Sequence, residues 1–547
     1  MRTMLRFPRL LLLALTVLLL TAAIDDSTQR FLRGFDILGA VYRQVLSEYV
    51  DEVSPDELLH AGVKGMLETL DPYAELIEKR ENSEVDALSR GRYGGLGIKV
   101  RNQHGRQFVS YIYEEILPLS NLRIGDEILR IDGASLADEN ITDLRSLLRG
   151  EPGTAVQLVV RRPGVGDSID LVVQRRSVTL DPLPCVTLLD DNILYMKISR
   201  FTRSSADSVR NALRRAFATS RIRGVIVDVR DNPGGLLEAA VALVDQFIEP
   251  GELIVSMRGR QPTYARDYPS REEAIDAHVP LAVLVNGRSA SASEIVAGAL
   301  QDLDRAVVIG QRTFGKGLVQ TLVPLTHDAV LKLTTSRYYI PSGRCIQRLV
   351  YKNGKASDAE HLEDETLFRT LRLGRPMRES IGIVPDISLP EDSLPPVLRS
   401  LEAEYAAFHF VAFYNNVIRP RQIPDIDAEV QTRFRRFADS LLLTGEDPLL
   451  DAADKLVAQA QVYELGEETV RHLKAFRSEV HSHRMQRIDA MWPQIRQLLV
   501  REFSAQLYGE NARILQGLDS DRAVQEARTI LGDDEAYEAA LLNAHAQ

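Results

Sequence analysis

Cysteine, aromatic residues and basic tracts are all scarce in this sequence. The only cysteines are Cys185 and Cys345, and their spacing indicates no metal site. In an oxidising compartment the two could form one disulfide, and two separate buried thiols fit the sequence at least as well. Aromatic residues make up 6% of the chain, and the net charge is −11 with no run of basic residues, which argues against a nucleic-acid partner. Nothing in the sequence predicts a metal ion or another cofactor.

Long apolar runs are also missing, except near the amino terminus. There, Arg2, Arg6 and Arg9 precede the apolar run 10–20, which is followed by Thr-Ala-Ala at 21–23. This pattern predicts a signal peptide over 1–23. A retained membrane anchor is the alternative, although eleven apolar residues are short for a spanning helix. The arginines at the front place the rest of the chain in the periplasm or another extracytoplasmic space. Association with the inner membrane follows only if the segment is retained.

Changes of pattern divide the remaining sequence into four parts. Apolar residues at helical spacing predict an N-terminal helical segment over 24–90, and short alternating runs predict a β-rich module over 91–176. An α/β region follows over 177–392, and 393–547 is mostly amphipathic helix. The composition, 45% hydrophobic and 26% charged, is that of an ordinary globular protein.

The α/β region alternates between the two periodicities. Strands are predicted at 193–198, 225–229, 281–285 and 306–309, and helices at 205–218, 236–247 and 293–303. This alternation predicts an α/β domain with a largely parallel sheet.

A serine-rich turn lies inside this region. Residues 289–294 read Ser-Ala-Ser-Ala-Ser-Glu, where the strand at 281–285 passes into the helix at 293–303. Free backbone N–H groups and the helix dipole at such a turn can stabilise an oxyanion. The alternative is an ordinary serine N-cap.

A lysine that could serve the serines as general base follows at Lys316, between Gly315 and Gly317. A desolvated lysine can lose its proton near neutral pH and activate a hydroxyl. Histidine is the other candidate base, but His278 and His327 lie in polar stretches without a supporting motif.

The serine turn followed by Thr-Phe-Gly-Lys-Gly-Leu-Val-Gln at 313–320 closely resembles the carboxy-terminal processing (tail-specific) serine proteases. The resemblance spans roughly residues 30–390 and implies a ClpP/crotonase-like core. It also implies that Ser291 is the nucleophile and Lys316 the base, with Ser289 and Ser293 in support.

Gln320 stands four residues after Lys316. In the family this glutamine orients the lysine, which implies that the chain bends at Gly317, since an extended strand would separate the two residues by roughly 13 Å. Glu294 and Asp302 are further polar candidates. Each is expected to be either a supporting residue or a solvated helix position.

A second glycine turn occurs at 228–236, Asp-Val-Arg-Asp-Asn-Pro-Gly-Gly-Leu, again between a strand and a helix. The family resemblance implies that an amide of Gly234 or Gly235 joins that of Ala292 in an oxyanion hole. A tight turn that needs glycine for backbone geometry alone is the alternative.

The β-rich module resembles a PDZ domain through Tyr-Gly-Gly-Leu-Gly-Ile at 93–98 and Arg-Ile-Gly-Asp-Glu-Ile-Leu-Arg-Ile-Asp-Gly at 123–133. In that family such a loop offers backbone N–H groups to a free peptide carboxylate. The resemblance therefore implies that the substrate tail binds at Gly95, Leu96, Gly97 and Ile98. A β-module that only packs on the core is the alternative.

Together these features predict an extracytoplasmic serine endopeptidase that captures the free C-terminus of protein substrates and cleaves near it. The alternatives are a catalytically inactive PDZ-containing scaffold or adaptor-binding protein, and an acyl-transferring or non-peptide hydrolase on the same core. Polar boundaries at 89–92 and 177–184 suit hinges, so the module is expected to move between a position that blocks Ser291 and one that frees it. The helices of 393–547 are candidates for a homo-oligomer or adaptor surface.

Overall fold

The computed structural model describes residues 26–77, 87, 91–113, 116, 120–136, 144–327, 329–352, 354–358, 367–379, 381–390, 394–444 and 448–543. The predicted signal peptide and part of the first predicted hinge lie outside these residues. The chain forms two compact units: Met1–Leu76 with Leu322–Leu333 and Tyr351–Ala356, and the remainder. Within the described ranges, no helix has the length and apolar character needed to cross a membrane.

The first unit contains the predicted N-terminal helices, α1 (Asp26–Glu48) and α2 (Pro55–Leu67), followed by the short strand β1 (Glu75–Ile77). Ser54 caps α2 by accepting a hydrogen bond from the Glu57 amide. The apolar residues that predicted α1 are largely exposed to solvent, among them Phe35, Ile37 and Val41.

In its described residues the β-rich module has eight strands and one helix, in keeping with the short alternating runs of its sequence. They are β2 (Arg92–Gly95), β3 (Ile98–Gln103), β4 (Arg106–Ile112), β5 (Glu127–Ile131), β6 (Ala134–Ser135), α3 (Leu144–Leu148), β7 (Ala155–Arg161), β8 (Ser168–Gln174) and β9 (Arg176–Thr179). The main sheet has the order β3-β4-β5-β7-β8, with β6 paired to β5, and it is antiparallel throughout. Its alternating inward side chains, such as Val109, Ile128 and Val156, form a core of their own.

The α/β region follows, with strands and helices close to the predicted bounds. Its elements are β10 (Cys185–Leu188), β11 (Ile193–Lys197), α4 (Ser205–Thr219), β12 (Gly224–Asp228), α5 (Leu237–Val244), β13 (Leu253–Gly259), β14 (Arg266–Pro269), β15 (Leu281–Val285), α6 (Ala292–Asp302), β16 (Val307–Gly310), β17 (Leu318–Pro324), β18 (Val330–Tyr339), β19 (Leu349–Lys352), β20 (Lys355–Asp358), β21 (Leu367–Arg369), β22 (Pro376–Arg378) and β23 (Ile387–Ser388). The central sheet has the order β10-β11-β12-β15-β16-β23, and every pair in it except β10 with β11 is parallel. The predicted largely parallel sheet is therefore confirmed.

The central sheet is buried on both faces. Val225, Val227 and Val283 point to one face and pack with α4, α5 and α6. Their neighbours Ile226 and Leu284 point to the opposite face, because successive side chains of a strand alternate. This second face needs a cover of its own.

The cover comes from the C-terminal region, which is helical as predicted. Its helices are α7 (Pro396–Ala403), α8 (Ala406–Val417), α9 (Ala428–Thr444), α10 (Pro448–Val462), α11 (Glu467–Ala490), α12 (Trp492–Tyr508), α13 (Glu510–Leu518), α14 (Arg522–Leu531) and α15 (Asp534–Asn543). Helices α7, α8, α9, α11 and α12 share an apolar core built around Phe410, Phe434 and Phe503. Helix α14 instead lays Val524 and Leu531 on the second face of the central sheet. The packing of C-terminal helices on the α/β core was not predicted.

Cys185 and Cys345 are both buried and both free. The structure therefore supports two separate thiols and not a disulfide.

Candidate active site

The predicted nucleophile, Ser291, lies at the turn between β15 and α6. Its backbone has φ of 57° and ψ of −115°, a conformation that residues other than glycine rarely adopt. Such strain persists only where surrounding contacts enforce it, and it recurs at nucleophile turns. Two flanking serines supply such contacts: the Ser289 hydroxyl donates to the Val229 carbonyl at 2.9 Å, and the Ser293 hydroxyl to the Asn232 carbonyl at 2.9 Å.

The second glycine turn lies directly against the serine turn. A Cβ atom on Gly234 would stand 2.9 Å from the Ser291 Cβ and 3.0 Å from the Ala292 nitrogen. A Cβ on Gly235 would stand 2.0 Å from the Phe201 carbonyl oxygen, and both glycines have positive φ. These positions therefore need glycine both for backbone conformation and for close approach to the serine.

The amides at this junction differ in their hydrogen bonds. The Gly234 amide donates to the Asn232 side-chain oxygen at 2.9 Å. Within the described part of the chain, the amides of Gly235 and Ala292 have no acceptor. An unpaired amide is expected for Ala292, because it lies in the first turn of α6. Of the two predicted glycines, Gly235 is therefore the one whose amide, like that of Ala292, is available to donate to an oxyanion.

Glu294 connects the serine turn to the lysine segment. Its Oε2 accepts hydrogen bonds from the amides of Ser291 (2.8 Å) and Lys316 (2.9 Å). Its Oε1 accepts from the Thr313 hydroxyl (2.5 Å) and the Gly315 amide (2.7 Å). Burial raises the pKa of this carboxyl, and the four donors oppose the rise. The residue is fully buried, so the expectation that it could be a solvated helix position is wrong.

Tyr338, on β18, makes the same connection through carbonyl oxygens. Its buried hydroxyl lies 3.1 Å from the Ser291 carbonyl oxygen and 2.5 Å from that of Lys316. The backbone N–H and C=O groups of Ser291 and Lys316 are thus held by the same two side chains. We call Glu294 and Tyr338 the brace.

Lys316 is half-buried and lies two residues before the start of β17. The adjacent Gly317 amide donates to the Gln347 side chain at 2.7 Å, outside any strand ladder. Gln320 lies within β17, and its side-chain nitrogen donates to the Thr334 hydroxyl at 3.2 Å. Orientation of the lysine by Gln320 stays a prediction.

Asp302, at the other end of α6, is also fully buried and is not a solvated position. It accepts hydrogen bonds from the Arg344 guanidinium at 2.8 Å and from the Ser342 amide at 3.0 Å. These contacts are away from the serine turn, and they give Asp302 a structural role in anchoring the segment after β18.

A buried ionic cluster that the sequence did not reveal lies at the end of β12. Asp228 accepts hydrogen bonds from the Tyr195 hydroxyl (2.7 Å), the Lys197 ammonium (3.0 Å) and the Arg230 guanidinium (2.6 Å). Burial disfavours the charged carboxylate, but the two cations outweigh it and hold the pKa of Asp228 well below its usual range. The cluster fixes the first residues of the glycine turn.

The predicted tail-binding loop, Gly95 to Ile98, lies between β2 and β3. A Cβ on Gly97 would stand 2.4 Å from Ile116, and Gly97 has φ of +65°, so the loop needs glycine there. Leu96 is buried in the module core. Beside the loop is a cavity of about 1940 Å³ that is also lined by Asp231 and Arg288 of the α/β region and by Tyr405, the N-cap residue of α8. The loop thus shares one cavity with residues that belong to or adjoin the glycine turn and the serine turn.

No group of residues suited to holding a metal ion occurs in the described ranges.

Two stretches of the chain match family models of known proteins. Residues 192–358 match the family model "Peptidase family S41", and residues 397–531 match "Probable PDZ-protease, C-terminal helical domain". A carboxy-terminal-processing protease of Bartonella bacilliformis is 34% identical over 313 residues, which cover 56% of this chain and 71% of that protein. The carboxy-terminal processing protease CtpA of Bacillus subtilis is 30% identical over 316 residues, covering 57% and 67%.

A solved structure, the photosystem II D1 C-terminal processing protease, is 25% identical and covers 65% of this chain and 88% of its own, with a TM-score of 0.38. That score is too low to support a conclusion about this chain. The identity to the Bartonella protein extends over most of that protein's length and is sufficient to assign the family. The chain belongs to the carboxy-terminal processing proteases of peptidase family S41.

Proposed function

We propose that the chain is a serine endopeptidase in which Ser291 is the nucleophile and Lys316 the general base. The observation that carries the proposal is the brace, because Glu294 and Tyr338 hold the backbones of these two residues, which are distant in sequence, beside the glycine turn. A core with no catalytic task would have no need to fix a strained serine against a lysine segment at four backbone atoms.

In the proposed mechanism, the neutral Lys316 amine accepts the Ser291 hydroxyl proton as the oxygen attacks the scissile carbonyl. The resulting oxyanion accepts hydrogen bonds from the amides of Ala292 and Gly235. The protonated lysine then donates its proton to the leaving amine, which releases the C-terminal fragment. Water deprotonated by the same lysine hydrolyses the acyl-enzyme and restores the serine. Gln320 is proposed to orient the lysine.

The substrate tail is proposed to bind the module, taken as a PDZ domain inserted before a ClpP/crotonase-like core. Two features support this: the glycine-dependent loop at Gly95, Leu96, Gly97 and Ile98, and the cavity that it shares with Asp231. The protein is proposed to act on proteins with free C-termini in the periplasm, in keeping with the amino-terminal sequence pattern.

The test of the proposed Ser291–Lys316 catalytic dyad compares wild type with Ser291→Ala and Lys316→Arg on an unstructured protein substrate. Cleavage should require both residues, and a serine-directed acylating probe should label wild type at Ser291 only. A folded wild-type protein that neither cleaves nor reacts with the probe would instead favour the scaffold alternative. Cleavage that survives Ser291→Ala would refute the assignment of the nucleophile.

The test of tail recognition uses peptide pairs that differ only in a free or amidated C-terminus. Amidation removes the carboxylate charge, so we expect KM to rise while kcat changes little. Equal KM values for the two peptides would mean that the loop does not bind free tails.

Gating by the module is a separate part of the proposal. If the module blocks Ser291 until a tail binds, removal of 91–176 should leave cleavage of small peptides intact or faster, while the preference for free C-termini disappears. A folded deletion variant without any cleavage would show instead that the module is needed to assemble the active site.

A further inference from the structure

The glycine turn is tied to the C-terminal helical region through one arginine. Arg230 donates to Asp521 at 3.0 Å through Nη1, and its Nη2 lies 2.8 Å from the second Asp521 oxygen. The two residues are 291 positions apart in sequence. Nε of the same guanidinium and the shared Nη2 donate to Asp228. Arg230 is therefore held between two carboxylates, one from the end of β12 and one from the start of α14.

Arg230 also opens the turn that carries the proposed oxyanion glycine. Its carbonyl accepts a hydrogen bond from Lys197 at 2.7 Å, and its amide donates to Asp228 at 2.9 Å. From there the chain reaches Asn232, whose carbonyl accepts the Ala290 amide at 3.1 Å. A displacement of the Arg230 side chain is thus transmitted over a few residues of fixed backbone to the contact between the glycine and serine turns.

Asp521 is itself firmly placed. It is the N-cap of α14 and accepts the amides of Ala523 (3.0 Å) and Val524 (3.2 Å). The helix that it caps is anchored in the core, with Val524 fully buried on the central sheet and Arg528 donating to Asp191 at 2.8 Å. The carboxylate that meets Arg230 therefore belongs to a rigid element and not to a loose tail.

We propose that Asp521 is a positioning residue for the peptidase reaction, acting through Arg230 to fix the glycine turn that supplies the oxyanion amide. The inference rests on the proposed function and gives the C-terminal region a part in catalysis in addition to its packing. Asp521 does not contact the reacting atoms. Its loss should therefore lower kcat by loosening transition-state stabilisation. KM should stay nearly unchanged, since the loop amides proposed to bind the tail carboxylate are not among the contacts of Asp521, although Asp521 lines the same cavity.

The test is Asp521→Asn in the full chain. Asparagine caps a helix about as well as aspartate, so α14 should remain in place, while the charge that pairs with Arg230 is lost. The matched control is Asp519→Asn, which removes the same charge two residues earlier from a side chain that is 96% exposed. We expect Asp521→Asn to lower kcat about 10- to 100-fold with KM within about twofold of wild type, and Asp519→Asn to match wild type in both.

Urea unfolding and titration with the acylating probe accompany the kinetics. The proposal is supported if Asp521→Asn keeps the wild-type unfolding midpoint and probe stoichiometry while kcat and the acylation rate fall. It is overturned if kcat is unchanged, or if kcat falls only in proportion to the folded fraction. Wild type and Ser291→Ala are measured alongside. Cleavage that persists in Ser291→Ala overturns the proposed function and this inference with it, whereas serine-dependent cleavage with an unaffected Asp521→Asn overturns the inference alone.

Discussion

Replacing Glu294 by glutamine should separate the two tasks of the brace, stability and catalysis. The carboxylate accepts four hydrogen bonds. A glutamine has one acceptor oxygen and one NH2 donor, and the least costly orientation turns the NH2 toward Thr313, whose hydroxyl can rotate to accept. The Gly315 amide then loses its acceptor in a buried site, and the rotated Thr313 hydroxyl no longer donates to this side chain. Leaving one buried donor unpaired costs about 1–3 kcal/mol of unfolding free energy.

The effect on the activation free energy of the reaction should be of similar size. The Ser291 and Lys316 amides keep an acceptor, but a neutral one, so the two backbones are held less tightly. A misplacement of reacting groups by about 1 Å can cost on the order of 100-fold in rate, so kcat for a peptide substrate should fall about 10- to 100-fold.

Asp302→Asn is the control, because Asp302 is an equally buried acid on the same helix whose partner, Arg344, is remote from the serine turn. Removing its charge leaves the Arg344 guanidinium uncompensated, and breaking a buried pair in this way costs about 3–5 kcal/mol. We therefore expect Asp302→Asn to lose at least as much stability as Glu294→Gln in urea unfolding but to keep kcat per folded molecule. If both variants keep kcat, or lose it equally, the brace does not align the catalytic residues.

Three further outcomes are expected. Lys316→Arg should abolish cleavage although the charge is retained, because arginine does not release its proton at usable pH, and near wild-type turnover would refute the dyad. Gly234→Ala should lower kcat and cost at least about 1–2 kcal/mol, since a Cβ at φ of +103° would meet Ser291; kinetics and urea unfolding of the variant measure both. Burial, with Arg101 and Arg106 nearby, lowers the pKa of His409 from 6.5 to about 4 against the opposing charges of Glu404 and Glu127. The unfolded chain therefore takes up this proton at higher pH than the folded chain, and the unfolding free energy should fall by up to roughly 3 kcal/mol as pH drops from 6.5 to 4. His409→Gln should remove that part of the pH dependence, and an identical pH profile for both proteins would contradict the assignment.

The secondary structure of the α/β region could be predicted because its signals are local. The predicted strand 281–285 has the same two ends in the structure, and both ends of the predicted helix after it differ by one residue. A buried apolar run and a helical period are each visible within about ten residues of sequence. The glycine turn at 228–236 could be predicted for a similar reason, because the backbone geometry of such a turn restricts the residue type to glycine.

The residues that brace the site could not be found in that way, because their partners are distant in sequence. Nothing near Tyr338 in sequence indicates that it reaches the serine turn, and nothing near Asp521 indicates that it meets Arg230. Glu294 did carry a local signal: an acid three residues after a serine N-cap is the capping-box pattern, which predicts a bond to the serine amide. Its bonds to the lysine segment depend on how β17 returns to α6, and this is set by tertiary packing.

The two free cysteines have a practical consequence. Cys185 lies in the apolar cluster under α14, and burial raises the pKa of its thiol to about 11, so a thiol reagent can reach it only when that cluster opens. Cys345 is buried elsewhere, in the segment after β18. The wild-type chain therefore contains two internal reporters, and following their alkylation separately by mass spectrometry would show whether the C-terminal helices detach before the core unfolds or together with it.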